Sequence, residues 1–167
     1  MILIVAGVAG SGKTTIGALI AGQLGWQFAD ADTFHPESNV AKMRSGVPLT
    51  DEDRLPWLQA IAEWVDARTA EGVSAVVACS ALKRSYRDLL LSARPEVQMV
   101  FLQVSHDVLL RRLASRVGHF FPRQLLDSQL AALEPPQPDE GVHTVLADED
   151  PMRTAARVIA LLGLRTT

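Results

Sequence analysis

The chain has 167 residues, a formal net charge of −3, 48% hydrophobic and 21% charged residues. That supports one domain with a core of its own and excludes a disordered chain. Its single cysteine, Cys79, excludes an internal disulfide framework. No apolar run approaches the roughly 18–20 residues that a bilayer span needs, so no membrane partner is expected. The apolar opening Met1–Gly7 lacks a basic segment and reaches glycine too soon for a signal peptide, so a cytoplasmic protein is expected. The acidic balance argues against a nucleic-acid partner. Yet residues 83–123 hold eight of the 16 Lys and Arg with only three acids, which leaves that segment at +5 and the rest at −8. A local cation cluster in an acidic chain suggests a small anionic ligand. Arg84, Arg94 and Arg111 read as solvated helix faces.

Ile2–Ala6 is a continuous apolar run, as a strand buried on both faces should be. A glycine-rich turn over 7–12 leads into a predicted helix over 13–24, with Gly25 as its cap. Trp26–Ala29 reads as a second strand ending in Asp30-Ala31-Asp32, and residues 35–45 as a helix opened by His35-Pro36. Thr50 is an N-cap followed by Asp51, Glu52 and Asp53, which suit the positive end of a helix running to about Ala70. That helix is expected to turn Trp57, Ile61, Trp64 and Val65 inward. A third strand is predicted over 73–79, a helix over 83–92, a fourth strand over 97–104 and a helix over 106–116. Residues 118–122 read as a loop and 123–133 as a helix; Pro135, Pro136 and Pro138 argue against regular structure around them. A fifth strand over 142–146 and a closing helix over 151–162 complete the chain. Strands alternate with helices throughout, so the expected class is α/β, a parallel sheet with helices on both faces.

Gly7-Val8-Ala9-Gly10-Ser11-Gly12-Lys13-Thr14 matches G-x-x-x-x-G-K-[ST] in full, between a buried strand and an amphipathic helix. Glycines there let successive backbone N–H groups surround a polyphosphate, and the helix N-terminus adds its positive end. Lys13 is expected to reach the β- and γ-phosphates and the Thr14 hydroxyl to bind Mg2+. The motif points to a nucleoside triphosphate without naming the acceptor. Asp30 and Asp32, two apart, would point the same way in extended chain at the ligand edge of the sheet. One of the two is expected to hold metal-bound water, and the other to orient an acceptor hydroxyl and take its proton.

Cys79, with no companion His–Asn pattern, reads as a small buried apolar residue. Ser80 and Lys83 follow at the ligand edge, and a cation is unfavourable at a helix start, which favours a role for Lys83. Arg112 and Arg116 share a helix face and lead into a loop containing Gly118. This resembles the lid of small P-loop kinases, in which one arginine lies against adenine and the next reaches the transferring phosphate on closure.

Taken together these residues resemble the gluconokinases, within the shikimate and nucleoside-monophosphate kinase group. The resemblance rests on residues 7–14, Asp30-Ala31-Asp32 with His35-Pro36, Asn39 with Lys42-Met43, Ser45-Gly46, residues 48–54 and Pro56-Trp57-Leu58. It continues in Cys79-Ser80-Ala81-Leu82-Lys83, Tyr86-Arg87-Asp88, Gly118-His119-Phe120-Phe121, Ser128-Gln129 and Leu133-Glu134-Pro135. It implies a single P-loop kinase domain over 1–167, with a five-stranded parallel sheet in the order 2-3-1-4-5 flanked by helices. It also implies acceptor-binding helices at about 35–70 and a mobile lid at about 117–124.

The implied reaction is phosphorylation of D-gluconate by ATP with Mg2+, in a homodimer. Lys13, Asp32 and Arg116 would be catalytic. Gly7, Val8, Ala9, Gly10, Ser11, Gly12, Lys13, Thr14, Thr15 and Arg112 would bind ATP, and Thr14 and Asp30 would serve the metal. Arg54 and Arg87 are candidates for the substrate carboxylate, with Lys83 and His119 nearby, and Asp32, His35 and Gln129 for the polyol. Two other readings compete: a kinase for another small hydroxy acid such as shikimate or for a nucleoside monophosphate, and a nucleotide-binding regulator without turnover. Acceptor turnover separates the first; the presence of both Arg116 and Asp32 speaks against the second.

Overall fold

The computed structural model describes residues 1–115 and 123–165. Five parallel strands form one sheet: β1 (Ile2–Ala6), β2 (Gln27–Asp30), β3 (Ala75–Cys79), β4 (Val97–Gln103) and β5 (His143–Leu146), in the order β2-β3-β1-β4-β5. The helices are α1 (Lys13–Leu24), α2 (Glu37–Arg44), α3 (Asp51–Ala70), α4 (Arg84–Leu91), α5 (His106–Ala114), α6 (Arg123–Ala132) and α7 (Pro151–Leu161).

β1 lies at the centre and is buried on both faces, as its unbroken apolar run requires. Its alternate residues feed two cores. Ile2, Ile4 and Ala6 pack with Trp57, Ile61 and Val65 of α3 and Leu90 of α4. Leu3 and Val5 pack on the other side with Ile16, Ile20 and Leu24 of α1 and Val158 of α7. The register sets the site: Ala6 stands opposite Cys79 and Phe101, so β1 and β3 end level while β4 runs on two residues to Gln103. The turns after β1 and β3 therefore leave the same edge side by side, and β2 ends beside them with Asp30 opposite Ala78.

Most predicted elements stand within two residues of their expected limits, but two local readings are corrected. The chain is not extended through residues 30–32: a 3-10 turn begins at Ala31. Asp30 causes it, because its Oδ1 accepts the Asp32 N–H at 3.0 Å and its carbonyl accepts the Thr33 hydroxyl at 2.7 Å, a local bond that competes with strand pairing. The proline-rich stretch does hold a short 3-10 turn, Pro138–Glu140, closed by the Gln137 N–H donating to Glu140.

α1 reaches the sheet closely because it carries Gly17 where it crosses β2 and β3. A Cβ there would stand 3.0 Å from the Phe28 ring and 3.5 Å from Val76. Gly17→Val should therefore overpack this contact and lower stability by about 1–3 kcal/mol. Urea unfolding would show a lower midpoint at unchanged slope; an unchanged midpoint would mean the helix has room to spare.

Candidate active site

The turn between β1 and α1 wraps back on itself. Gly10 and Gly12 sit at φ +80° and +89°, a region that other residues enter at a cost. A Cβ at Gly7 would stand 2.5 Å from Ser11 Oγ and 3.3 Å from the Leu102 carbonyl, so a side chain here would have to displace Ser11. The Ser11 N–H donates to the Val8 carbonyl at 3.1 Å, which tightens the turn. Lys13 is mostly buried and its Nζ lies 3.5 Å from the Val8 carbonyl, with no carboxylate in ion-pair reach among the described residues. The Ala9 N–H donates to Oε1 of Gln129 on α6 at 2.8 Å. Thr15 lines the outer side of the turn with Gly12, Ile16 and Arg112.

Beside the turn opens a cavity of about 130 Å3 lined by Lys13, Thr14, Asp32, Ser80 and Gln129 on one side and His35, Arg54 and Trp57 on the other. α3 supplies the far wall. Its first turn is fixed by a reciprocal cap: Thr50 accepts the Asp53 N–H at 3.1 Å and Asp53 accepts the Thr50 N–H at 2.9 Å. One turn further, the Trp57 indole N–H donates to the Ala31 carbonyl at 2.7 Å, and its ring stacks on His35 at 4.4 Å between centroids and 11° between planes. The buried Asn39 then sets the His35 tautomer. Its Nδ2 is 2.8 Å from the Asp53 carbonyl, which only accepts, so the amide nitrogen faces that way and gives its second hydrogen to His35 Nδ1 at 3.1 Å. Nε2 must carry the ring proton. Burial, helped by the Arg54 charge, lowers the His35 pKa to about 4, so the ring is a neutral donor at pH 7.

Arg54 reaches the same cavity. Its Nη1 donates to the Leu49 carbonyl at 2.9 Å and to Tyr86 Oη at 3.4 Å, and its guanidinium stands over the Tyr86 ring. No carboxylate lies within ion-pair distance of it among the described residues. Its neighbours are different. Lys42 is paired with Asp53 at 2.8 Å, and Lys83 with Asp51 at 2.8 Å. The Lys83 and Tyr86 hydrogen bonds hold Asp51 below the usual carboxylate range. Lys83 lines a separate cavity of about 200 Å3, which shares Arg54 and Leu49 with the first, so its place beside the helix start is explained by the ion pair to Asp51.

Arg87 does not enter the site. Its side chain is fully buried and all five of its N–H groups are used: two on Glu140 at 2.7 and 3.0 Å, and the others on the carbonyls of Ala81, Leu82 and Glu134. Its expected part in binding a substrate carboxylate is corrected accordingly. Arg87 instead pins the turn after β3, where Ala81 sits at φ +38°, and it sets Ser80 at the cavity edge. The paired-acid geometry is corrected as well. Asp32 lines the cavity, whereas Asp30 turns to Thr14, whose hydroxyl donates to its Oδ2 at 3.1 Å. Arg112 lies along the outside of the glycine-rich turn, against the Gly10 and Ser11 carbonyls. Gln129 reaches the cavity, with its carbonyl oxygen held by the turn. Arg116, His119 and the lid segment up to Pro122 lie outside the described residues. Cys79 is fully buried and its thiol is pushed up to about 12, as a packing residue should be.

Sequence reasoning gave no site function to Asn39 or Trp57. The available signal for the first was its spacing of four from His35 within the helix predicted over 35–45. For Mg2+ the local donors fit: Thr14 Oγ1 and Asp30 Oδ2 are hard oxygens set together beside the phosphate-binding turn. Among the described residues no group of three or more His, Cys, Asp or Glu could hold a metal, so the nucleotide and water would supply most of the coordination.

Two outcomes follow from these contacts. Glu140→Ala strands the Arg87 guanidinium without its counter-charge and should cost about 3 kcal/mol in denaturant unfolding; a loss below about 0.5 kcal/mol would deny the pair its structural part. The His35 ring is neutral when folded down to a pKa of about 4 against the usual 6.5. As pH falls from 6.5 towards 4 the unfolded chain gains a proton that the folded chain refuses, so the folded state loses stability. His35→Gln should remove that loss, which melting temperatures across this range would register as a flatter profile.

The AAA domain family model matches residues 2–136. The chain is 43% identical to a probable gluconokinase of Mus musculus, covering 96% of this chain and 97% of that protein. It is 46% identical to a gluconokinase of Gluconobacter oxydans, covering 89% and 84%. The crystal structure of a gluconokinase from Sinorhizobium meliloti superposes with a TM-score of 0.84 at 43% identity, over 96% of this chain and 91% of that one. A glycine-rich turn, an acid and an arginine with no carboxylate partner among the described residues line one cavity, and the likeness along nearly the whole chain places the protein in the gluconokinase family of P-loop kinases.

Proposed function

We propose that the protein transfers the γ-phosphoryl group of ATP to O6 of D-gluconate. The observation that carries this is the pairing of Lys13 and Arg54 across one cavity, each without a carboxylate partner among the described residues. A polyphosphate and a sugar acid are both anions, and each needs a cation that is not already neutralised. On this reading the N–H groups of the glycine-rich turn and Lys13 take the phosphates, and Arg54 takes the C1 carboxylate. His35 donates its Nε2–H to a sugar hydroxyl. Asp32 orients the C6 hydroxyl and accepts its proton as O6 bonds to the γ-phosphorus and the bond to the bridging oxygen of ADP breaks. Mg2+, held by Thr14 and through water by Asp30, would offset phosphate charge. Gln129 serves through the Ala9 N–H that it holds. A homodimer in the cytoplasm belongs to the same proposal. No helix among the described residues is long and apolar enough to cross a membrane.

The proposal is tested by ADP release with gluconate, shikimate and AMP offered side by side. Gluconate should be turned over and the other two should not. Lys13→Ala should lower kcat by about 100-fold or more, since a charge aimed at the transferring group is lost from a preformed turn. Asp32→Asn should lower kcat as severely with ATP affinity nearly unchanged. Turnover of shikimate in preference to gluconate, or near-normal kcat in Lys13→Ala, would contradict it.

A further inference from the structure

We infer that Arg112 is a positioning residue that holds the phosphate-binding turn in shape by its carbonyl side, independently of any contact with the nucleotide base. The inference rests on the reading that this turn binds the phosphates of ATP. Four contacts carry it. Arg112 Nη1 donates to the carbonyls of Gly10 and Ser11, both at 3.3 Å, and Nη2 donates to the carbonyls of Ala147 at 2.7 Å and Glu149 at 3.5 Å. One guanidinium thus ties the turn after β1 to the loop after β5.

The rest of α5 supports the same surface. A Cβ at Gly10 would meet Leu113 at 3.2 Å and Leu109 at 3.5 Å, and one at Gly12 would stand 3.8 Å from Arg112 Nη1. Leu109, Arg112 and Leu113 lie three and four apart and so form one helix face, against which the turn rests. The far partner is itself fixed. Ala147 N–H donates to the Gln103 carbonyl at 2.8 Å, Asp148 accepts the Ser105 N–H at 2.8 Å, and Glu149 is paired with Arg157.

Peptide geometry says what this does. In a trans peptide the C=O and the next N–H point in opposite directions. Holding the Gly10 and Ser11 carbonyls outward therefore directs the following N–H groups, those of Ser11 and Gly12, away from Arg112. The first closes the turn on Val8. A cation on the carbonyl side also polarises each peptide, so the N–H opposite becomes a stronger donor. Lysine cannot do the same, because its donors radiate from a single nitrogen whereas Nη1 and Nη2 serve two separate chain segments.

The test uses a ligand with phosphates and no base. Binding of ATP and of inorganic tripolyphosphate is measured by calorimetry for the wild type, Arg112→Ala and Arg112→Lys, with melting temperatures alongside. Arg112→Ala should weaken both ligands by a similar factor, at least about tenfold, and Arg112→Lys should not restore them. Unequal losses, with ATP weakened and tripolyphosphate untouched, would overturn the inference in favour of a contact with the base. Full recovery in Arg112→Lys would overturn it in favour of simple charge attraction. If Arg112→Ala fails to fold, the Arg112→Lys comparison decides alone. A wild type that binds ATP but not tripolyphosphate would also overturn it, because a turn held ready must bind phosphates unaided. A wild type that binds neither would instead remove the nucleotide reading beneath it.

Discussion

Phosphorylation of gluconate by ATP brings two anions together, and the placing of counter-charge around the cavity is the constraint on which the proposed site depends. Five cations around the cavity fall into two groups. Lys42, Lys83 and Arg87 are each neutralised by an acid, Asp53, Asp51 and Glu140 respectively. Lys13 and Arg54 face the cavity and have no such partner among the described residues. The neutralised group builds the walls, and the proposed reading gives the other group to the ligands. Burying unpaired charge is costly, so the cavity wall compensates with carbonyls: Val8 beside Lys13 and Leu49 beside Arg54.

α3 shows how one helix serves both ends. Its first turn carries Asp51 and Asp53, which answer the helix dipole and also pair with Lys83 and Lys42. One turn on, Arg54 and Trp57 face the cavity. Trp57 then fixes Ala31 by its indole N–H and His35 by stacking, so the 3-10 turn that carries Asp32 is held from the side opposite the phosphate-binding turn. Because His35 is neutral, it adds a donor to the cavity without adding charge, and among the described residues Arg54 is the cation on that wall.

Much of this was legible in the sequence. The apolar runs at 2–6 and 75–79 gave parallel strands, and the eight-residue glycine motif gave the turn and the loop beside it, because both depend on neighbours in the chain. What escaped reading depends on partners distant in sequence or on local bonds that override a pattern. Arg87 looked like a ligand for an anion, and only the fold brings Glu140 to it from 53 residues away. Asp30 and Asp32 followed a strand rule that the Asp30 side chain itself ends by accepting the Asp32 N–H. Asn39 carries no chemistry of its own, and its importance comes from the Asp53 carbonyl and the His35 ring that α3 and the 3-10 turn bring to either side of it.

The proposed role of Arg54, which has no carboxylate partner among the described residues, is to take the substrate's own carboxylate. The most direct measurement is kcat/KM for gluconate and for glucitol, which has the same carbon chain with CH2OH in place of the C1 carboxylate, in the wild type and in Arg54→Met. The account predicts that Arg54→Met lowers the gluconate value by about 10- to 100-fold, the worth of a charge-assisted hydrogen bond, and leaves the glucitol value within about twofold. Equal losses for both acceptors, or a gluconate value that does not fall, would contradict it.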